Sequence, residues 1–178
     1  MGRMVALLRA VNVGGRKLPM AELRALCTEL GWADVATYIQ SGNIVFASGK
    51  TPGALEAELE AAIERRFGYA APAIIRTADA WRHYASATPF PDAAKATPNF
   101  LLMLLSKLAP AADAVETIQA KAAAGEIVRQ AGDAIWIHFP TGSGTSKITP
   151  SLMDKAIGSP ATSRNYRTVV TLEEMLAQ

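Results

Sequence analysis

Apolar positions in the first half of the chain alternate between strand-like runs and helical spacing. Residues 4–10 form a near-continuous apolar run, which is typical of a buried strand. Apolar residues at steps of three and four then predict a helix over residues 19–31, opened by a proline and closed by a glycine. Strands follow around 35–40 and 44–46, and the Gly42-Asn43 pair between them favours a hairpin turn.

The rest of the first half continues this order. Thr51-Pro52 predicts the start of a second helix, with the threonine as its N-cap, and Gly68 predicts its end. Residues 72–77 are then predicted as a strand and residues 78–86 as a short helix. Three prolines between residues 87 and 98 indicate a connector.

The second half repeats the order of elements. Residues 100–105 predict a buried strand, and Pro110 predicts the start of a helix. The segments 126–130 and 134–139 predict the two strands of a second hairpin. A capping-box pattern at Thr171 predicts the start of a C-terminal helix.

Turn and helix-start signals recur between the halves at spacings of 90 to 98 residues. An ordered recurrence of this kind indicates internal duplication of a βαββα unit. We therefore predict an α+β fold with two repeats, residues 1–88 and 89–178, that share one core. The recurring pairs are Pro19 and Pro110, Gly42-Asn43 and Gly132-Asp133, and Thr51-Pro52 and Thr149-Pro150.

Four segments carry a family resemblance, and they are Leu7–Gly15, Pro19–Leu23, Tyr38–Phe46 and Ala161–Val169. Together they resemble a bacterial family known as domain of unknown function 1697. The resemblance extends over nearly the whole chain and implies two intertwined ferredoxin-like repeats, in agreement with the duplication above. It implies no activity.

Composition limits the classes of function. The chain has 178 residues, 50% of them hydrophobic, and a net charge of +2, so the case for a polyanionic partner is weak. Its one cysteine, Cys27, permits neither an internal disulfide nor a cysteine zinc site, and we expect it to be buried. Because only two histidines occur, we predict no metal and no cofactor. The lack of a secretory segment or of about 20 consecutive apolar residues favours a cytoplasmic protein with no membrane partner.

The leading candidate site is the loop Asn12–Lys17, which lies between the first strand and the first helix. Gly14 and Gly15 can turn backbone N–H groups toward an anion, while Arg16 and Lys17 add positive charge. The segment matches neither the Walker A pattern nor the dinucleotide fingerprint. The alternative is that the two glycines only shape a tight connection.

Topology predicts a neighbour for this loop. In a βαββα unit of ferredoxin type, the first strand ends at the sheet edge where the second and third strands turn. Arg9 and Asn12 should therefore lie beside Gln40, Ser41 and Asn43. This cluster contains no carboxylate or histidine, so it suits a phosphorylated small molecule or nucleotide better than proton transfer. We assign no catalytic residue, and enzymatic activity stays open.

Other segments support different interpretations. Arg164 and Asn165 either clamp a phosphate or hold the C-terminal tail by hydrogen bonds. The glycine- and hydroxyl-rich loop 141–147 is either a phosphate loop or a flexible connection. Tyr38 and Trp136 would be the base-stacking residues of a single-stranded nucleic-acid binding module, the less favoured partner class. The third class is a non-catalytic interaction protein that dimerises through a sheet edge.

Overall fold

The first half of the chain forms a four-stranded antiparallel sheet with the strand order β2-β3-β1-β4. The structure is a computed structural model that describes all residues from 1 to 178. The elements of this half are β1 (Gly2–Leu8), α1 (Met20–Glu29), β2 (Ala33–Tyr38), β3 (Asn43–Ser48), α2 (Pro52–Phe67), β4 (Ala73–Thr77) and α3 (Ala78–Ser86).

The second half forms a separate four-stranded antiparallel sheet with the order β6-β7-β5-β8. Two short pieces come first, α4 (Pro91–Ala96) and a 3-10 turn (Pro98–Phe100), both inside or next to the predicted connector. The remaining elements are β5 (Leu101–Ser106), α5 (Ala114–Gln119), β6 (Ile127–Ala131), β7 (Ala134–His138), α6 (Pro150–Ile157), β8 (Ala161–Asn165) and α7 (Tyr166–Leu176).

The predicted α+β fold and its internal duplication agree with this architecture. Each half has the order β-α-β-β-α-β, which is that of a ferredoxin-like unit, and the two strand orders are equivalent. The correspondence extends to single hydrogen bonds. Arg9 N–H donates to Pro72 O at 2.9 Å, and Lys107 N–H donates to Pro160 O at 3.1 Å, at the same place in each half.

The chain divides into two compact units. Unit 1 contains Met1–Arg82 and the C-terminal Leu172–Gln178, and unit 2 contains His83–Thr171. The intertwining of repeats 1–88 and 89–178, and a core common to both, stay predictions.

Each unit has its own apolar core. In unit 1, α1 and α2 bury their apolar stripes against one face of the sheet, as the periodicity of Leu23, Leu26, Leu55 and Leu59 predicts. Cys27 is buried in the same core, as expected, and burial raises the pKa of its thiol to about 12. The core of unit 2 is built in the same way from β5, β7, α5 and α6. None of the helices combines the length and the apolar character that crossing a bilayer requires.

Two helix starts differ from the prediction. Helix α5 begins at Ala114 rather than at Pro110, because residues 111–114 form a turn in which Ala114 N–H donates to Ala111 O. Helix α7 begins at Tyr166 rather than at Thr171, because Asn165 Oδ1 accepts the N–H of Thr168 at 2.9 Å and caps the helix there.

Two further features were not predicted. Strand β8 pairs with β5, but its sequence, ATSRN, is mostly polar and lacks the apolar pattern that predicts a strand. Thr51 lies at the N-cap position of α2 but makes no capping bond with its side chain, whereas Thr149 accepts the N–H of Leu152 at the start of α6. The two Thr-Pro pairs therefore predicted where α2 and α6 begin, but they did not predict which threonine makes a capping hydrogen bond.

Glu126 anchors the glycine- and hydroxyl-rich loop of unit 2. It is buried, and its carboxylate accepts the Ser146 hydroxyl and the N–H groups of Ala123 and Ala124 at 3.0 and 2.7 Å. The Ser146 hydroxyl first, and then the backbone N–H groups, lower the pKa of Glu126 to about 2. Among the polar residues 141–147, Ser146 therefore has a structural role, because its hydroxyl holds the loop to Glu126.

We expect Glu126 to make unfolding depend on pH. Because its pKa is lower in the folded state, its contribution is full above about pH 4.5 and is lost as the pH falls toward about 2. Glu126→Gln should be less stable at neutral pH, since a carboxamide places N–H groups against these donors, and its unfolding should lose part of the acid dependence. Denaturation with urea between pH 2 and 7 checks this, with exposed Glu174→Gln as control. An acid dependence that Glu126→Gln leaves unchanged would contradict the assignment.

Candidate functional site

The loop after β1 turns sharply through a series of left-handed residues. Ala10, Asn12, Gly14 and Gly15 have φ values of 55°, 54°, 57° and 83°. Positive φ is uncommon for residues other than glycine, so the two non-glycine members must be held by their surroundings. We call residues Asn12–Lys17 the basic loop.

The Asn12 side chain holds the basic loop to the turn between β2 and β3. Its Oδ1 accepts the N–H of Leu18 at 2.8 Å. Its Nδ2 donates to Leu18 O at 3.1 Å and to Gln40 O at 2.7 Å. The loop and the turn are therefore neighbours, as the topology predicts.

The turn is itself held by its own polar side chains. Asn43 is fully buried, and its Nδ2 donates to Tyr38 O at 2.9 Å and to Ser41 Oγ at 3.0 Å. Leu8 N–H donates to Gly42 O at 2.8 Å and attaches the turn to β1. The amides of Asn12 and Asn43 thus support the backbone, whereas the Gln40 side chain is exposed.

Two of the three cations of the site, Arg16 and Lys17, lie on the basic loop, and the third, Arg9, precedes it. Arg16 and Lys17 are exposed, and Arg9 is half-buried. The Arg16 guanidinium lies 5.6 Å from the centre of the Tyr69 ring, and the Tyr69 hydroxyl donates to Lys17 O at 3.3 Å. Burial raises the pKa of Tyr69, while the charge of Arg16 opposes the rise.

Tyr69 is a residue that the sequence did not identify. It lies in the connection between α2 and β4, directly after the helix-ending Gly68, and is 52 positions from Lys17 in the chain. A single aromatic residue in a connection belongs to no sequence pattern. Its contact with the basic loop therefore becomes evident only in the folded structure.

Arg164 and Asn165 belong to β8 in unit 2. Arg164 is buried, and its Nη1 donates to Thr162 Oγ1 and to Ser163 O, both at 2.8 Å. Burial lowers the pKa of its guanidinium to about 10. Because Asn165 caps α7, these contacts favour the interpretation in which the segment holds the C-terminal tail.

The proposed base-stacking residues do not form an exposed surface. Trp136 is 1% exposed, so its expected role as a base-stacking platform was wrong, because a buried ring offers no surface on which a base could stack. Its ring centre is 6.1 Å from that of Tyr166, and Tyr38 is half-buried. No group of three or more histidine, cysteine, aspartate or glutamate side chains is placed to hold a metal ion.

Gly42 provides a test of how tightly the turn packs. Its φ is +78°, and a Cβ at this position would lie 2.8 Å from Leu8 Cβ and from Val11 Cγ2. We expect Gly42→Ala to lower the free energy of unfolding by about 2–4 kcal/mol, as strain and overpacking combine. Gly31→Ala is the matched control, because Gly31 has a similar φ of +81° with open space around it, and it should cost only about 1–2 kcal/mol. Equal losses in urea denaturation would show that the close packing carries no cost.

Comparisons with known proteins agree with the fold and leave the activity open. The chain is similar to a conserved bacterial protein from Streptococcus pneumoniae of known structure, with 22% sequence identity and a TM-score of 0.75 over 100% of this chain and 99% of the other. No curated protein matches it. The family model described as "Protein of unknown function (DUF1697)" matches residues 1–136, and the chain therefore belongs to this family.

Proposed function

We propose that the basic loop binds the phosphate group of a small phosphorylated molecule, such as a nucleotide. Arg16 and Lys17 supply the positive charge, and the backbone N–H groups of Gly14 and Gly15 supply further donors. Arg9, at the base of the loop, adds a third positive charge. We place this activity in the cytoplasm.

The bridge made by Asn12 is the observation that carries the proposal. A glycine-rich loop is ordinarily mobile, and ordering it on a ligand costs conformational entropy. Here a single carboxamide makes three hydrogen bonds, to Leu18 and to Gln40, and fixes the backbone in advance. A loop that is ordered before binding loses less entropy when the anion arrives.

The charge of this edge favours an anion and offers no proton-transfer group. Residues 9–17 and 38–43 contain three cations and neither a carboxylate nor a histidine. The stacking of Arg16 on Tyr69 restricts the guanidinium further. Binding, rather than acid–base catalysis, is therefore the function that this geometry supports best.

The roles of the predicted site residues differ accordingly. Asn12, Ser41 and Asn43 are positioning residues, since their described bonds run to other parts of the loop and turn. Gln40, whose side chain is exposed at the edge of the loop, is the amide that remains for contact with the rest of the ligand.

Removing the two exposed cations should remove binding. We expect Arg16→Ala with Lys17→Ala to weaken the binding of pyrophosphate and ADP by about a hundredfold or more, because each of the two lost charge-assisted contacts contributes of the order of 1.5–3 kcal/mol. Titration calorimetry measures this. The control, Arg65→Ala with Lys121→Ala, removes the same charge from two exposed positions elsewhere. Equal loss in both double variants would attribute the binding to net charge, and no loss in the first would refute the site.

Breaking the bridge should weaken binding while the cations remain. Asn12→Gly keeps a residue suited to the positive φ of 54° but removes all three bonds. We expect a weaker affinity for pyrophosphate, by about threefold to tenfold, and faster hydrogen exchange at the Leu18 amide. Calorimetry and exchange measured by NMR check the two effects. A variant with rapid exchange but unchanged affinity would show that the bridge stabilises the fold without preparing the site.

A further inference from the structure

A cavity lies in unit 2, near the start of β5 and the first turn of α7. Its volume is about 270 Å³, which is at the lower limit of ligand pockets and suits a single ring rather than a dinucleotide. The residues that line it are Ala96, Thr97, Pro98, Asn99, Phe100 and Arg167.

Phe100 gives this cavity an exposed aromatic ring on a fixed backbone. The residue is 41% exposed, although it directly precedes the central strand β5. Its N–H donates to Thr97 O at 2.9 Å, and its carbonyl accepts the N–H of Phe139 at 2.8 Å. The ring therefore presents an apolar surface to solvent from a rigid position.

The glycine-rich loop of unit 2 passes close to the same ring. Gly142 has a φ of +84°, and a Cβ at this position would lie 3.7 Å from Phe100 Cε1. The loop thus approaches the same ring that lines the cavity. Gly142 of the loop 141–147 therefore lies near Phe100, and Arg167 lines the same cavity as that ring.

Arg167 supplies a positive charge at the cavity. It is exposed in the first turn of α7, and its guanidinium forms no ion pair or hydrogen bond within the chain. Two other surface arginines, Arg66 and Arg82, are by contrast paired with Glu29 and Asp79. The Arg167 guanidinium therefore keeps its full set of donors for a planar anion.

The cavity lining also contains two polar side chains, Thr97 and Asn99. Thr97 Oγ1 lies 3.3 Å from His138 Nε2, which fixes the threonine hydroxyl. The exposed Asn99 side chain adds an amide that can both donate and accept. The cavity therefore combines one apolar ring, one cation and a few polar groups.

We propose that this cavity binds an aromatic or heteroaromatic ring that carries an anionic group. The ring packs on Phe100 and the anion pairs with Arg167. This site is separate from the basic loop, and its existence does not depend on the function proposed there.

Phenyl phosphate is the probe for this site, and it is used with the Arg16→Ala, Lys17→Ala protein so that the basic loop cannot contribute. Amide signals in ¹H–¹⁵N spectra should shift at residues 97–100 and 167. Arg167→Gln should weaken the affinity by about tenfold, and Phe100→Leu, which keeps an apolar side chain, by about threefold. Inorganic phosphate alone should bind much more weakly, because it cannot use the ring.

Arg65→Gln is the control variant, since it removes an exposed charge from unit 1 and should leave the affinity unchanged. The proposal would be overturned if phenyl phosphate shifted no signals at the cavity, or if Arg167→Gln and Arg65→Gln bound it equally. Equal affinity for phenyl phosphate and inorganic phosphate would also overturn it, because the ring would then contribute nothing. These results are independent of pyrophosphate binding by the protein with an intact basic loop.

Discussion

The candidate site depends on the carboxamide of Asn12. This one side chain satisfies the N–H and the carbonyl of Leu18 on one side and the carbonyl of Gln40 on the other. Each such bond contributes only about 0.5–1.5 kcal/mol, but together they fix a loop in which several residues have left-handed backbone conformations. Besides this bridge, the turn is held to the end of β1 by the bond from Leu8 N–H to Gly42 O and by the packing of Gly42 against Leu8 and Val11.

The two halves have the same framework but differ in what they present to solvent. The bonds from Arg9 to Pro72 and from Lys107 to Pro160 show that the backbone is equivalent even outside the strands. After β5, however, the Ser106 hydroxyl donates to Leu108 O at 2.6 Å, and no loop like Asn12–Lys17 follows. The sheets are thus equivalent in the two halves. The two candidate sites are formed by segments that differ between the halves.

Hydrophobic periodicity predicted most of the framework, because burial of one helix face or one strand determines where apolar residues must stand. Periodicity failed at β8, whose polar residues still pair with β5. The capping-box pattern at Thr171 was also misleading, because it lies inside a helix that Asn165 already caps. The proximity of the basic loop and the turn was predicted, but the contacts between them were not. Topology placed the basic loop beside the turn, whereas the inward direction of the Asn12 amide and the contact of Tyr69 depend on side-chain geometry that no spacing encodes.

The most direct test of the account is to locate pyrophosphate on the unmodified protein by ¹H–¹⁵N spectroscopy. If the basic loop is a preformed anion site, the largest shifts on titration should occur at the amides of Gly14, Gly15, Arg16 and Lys17, with smaller shifts at Gln40. Saturable shifts that cluster elsewhere, or spectra that do not change at the basic loop, would contradict the account, because the loop would then be a tight connection and no more.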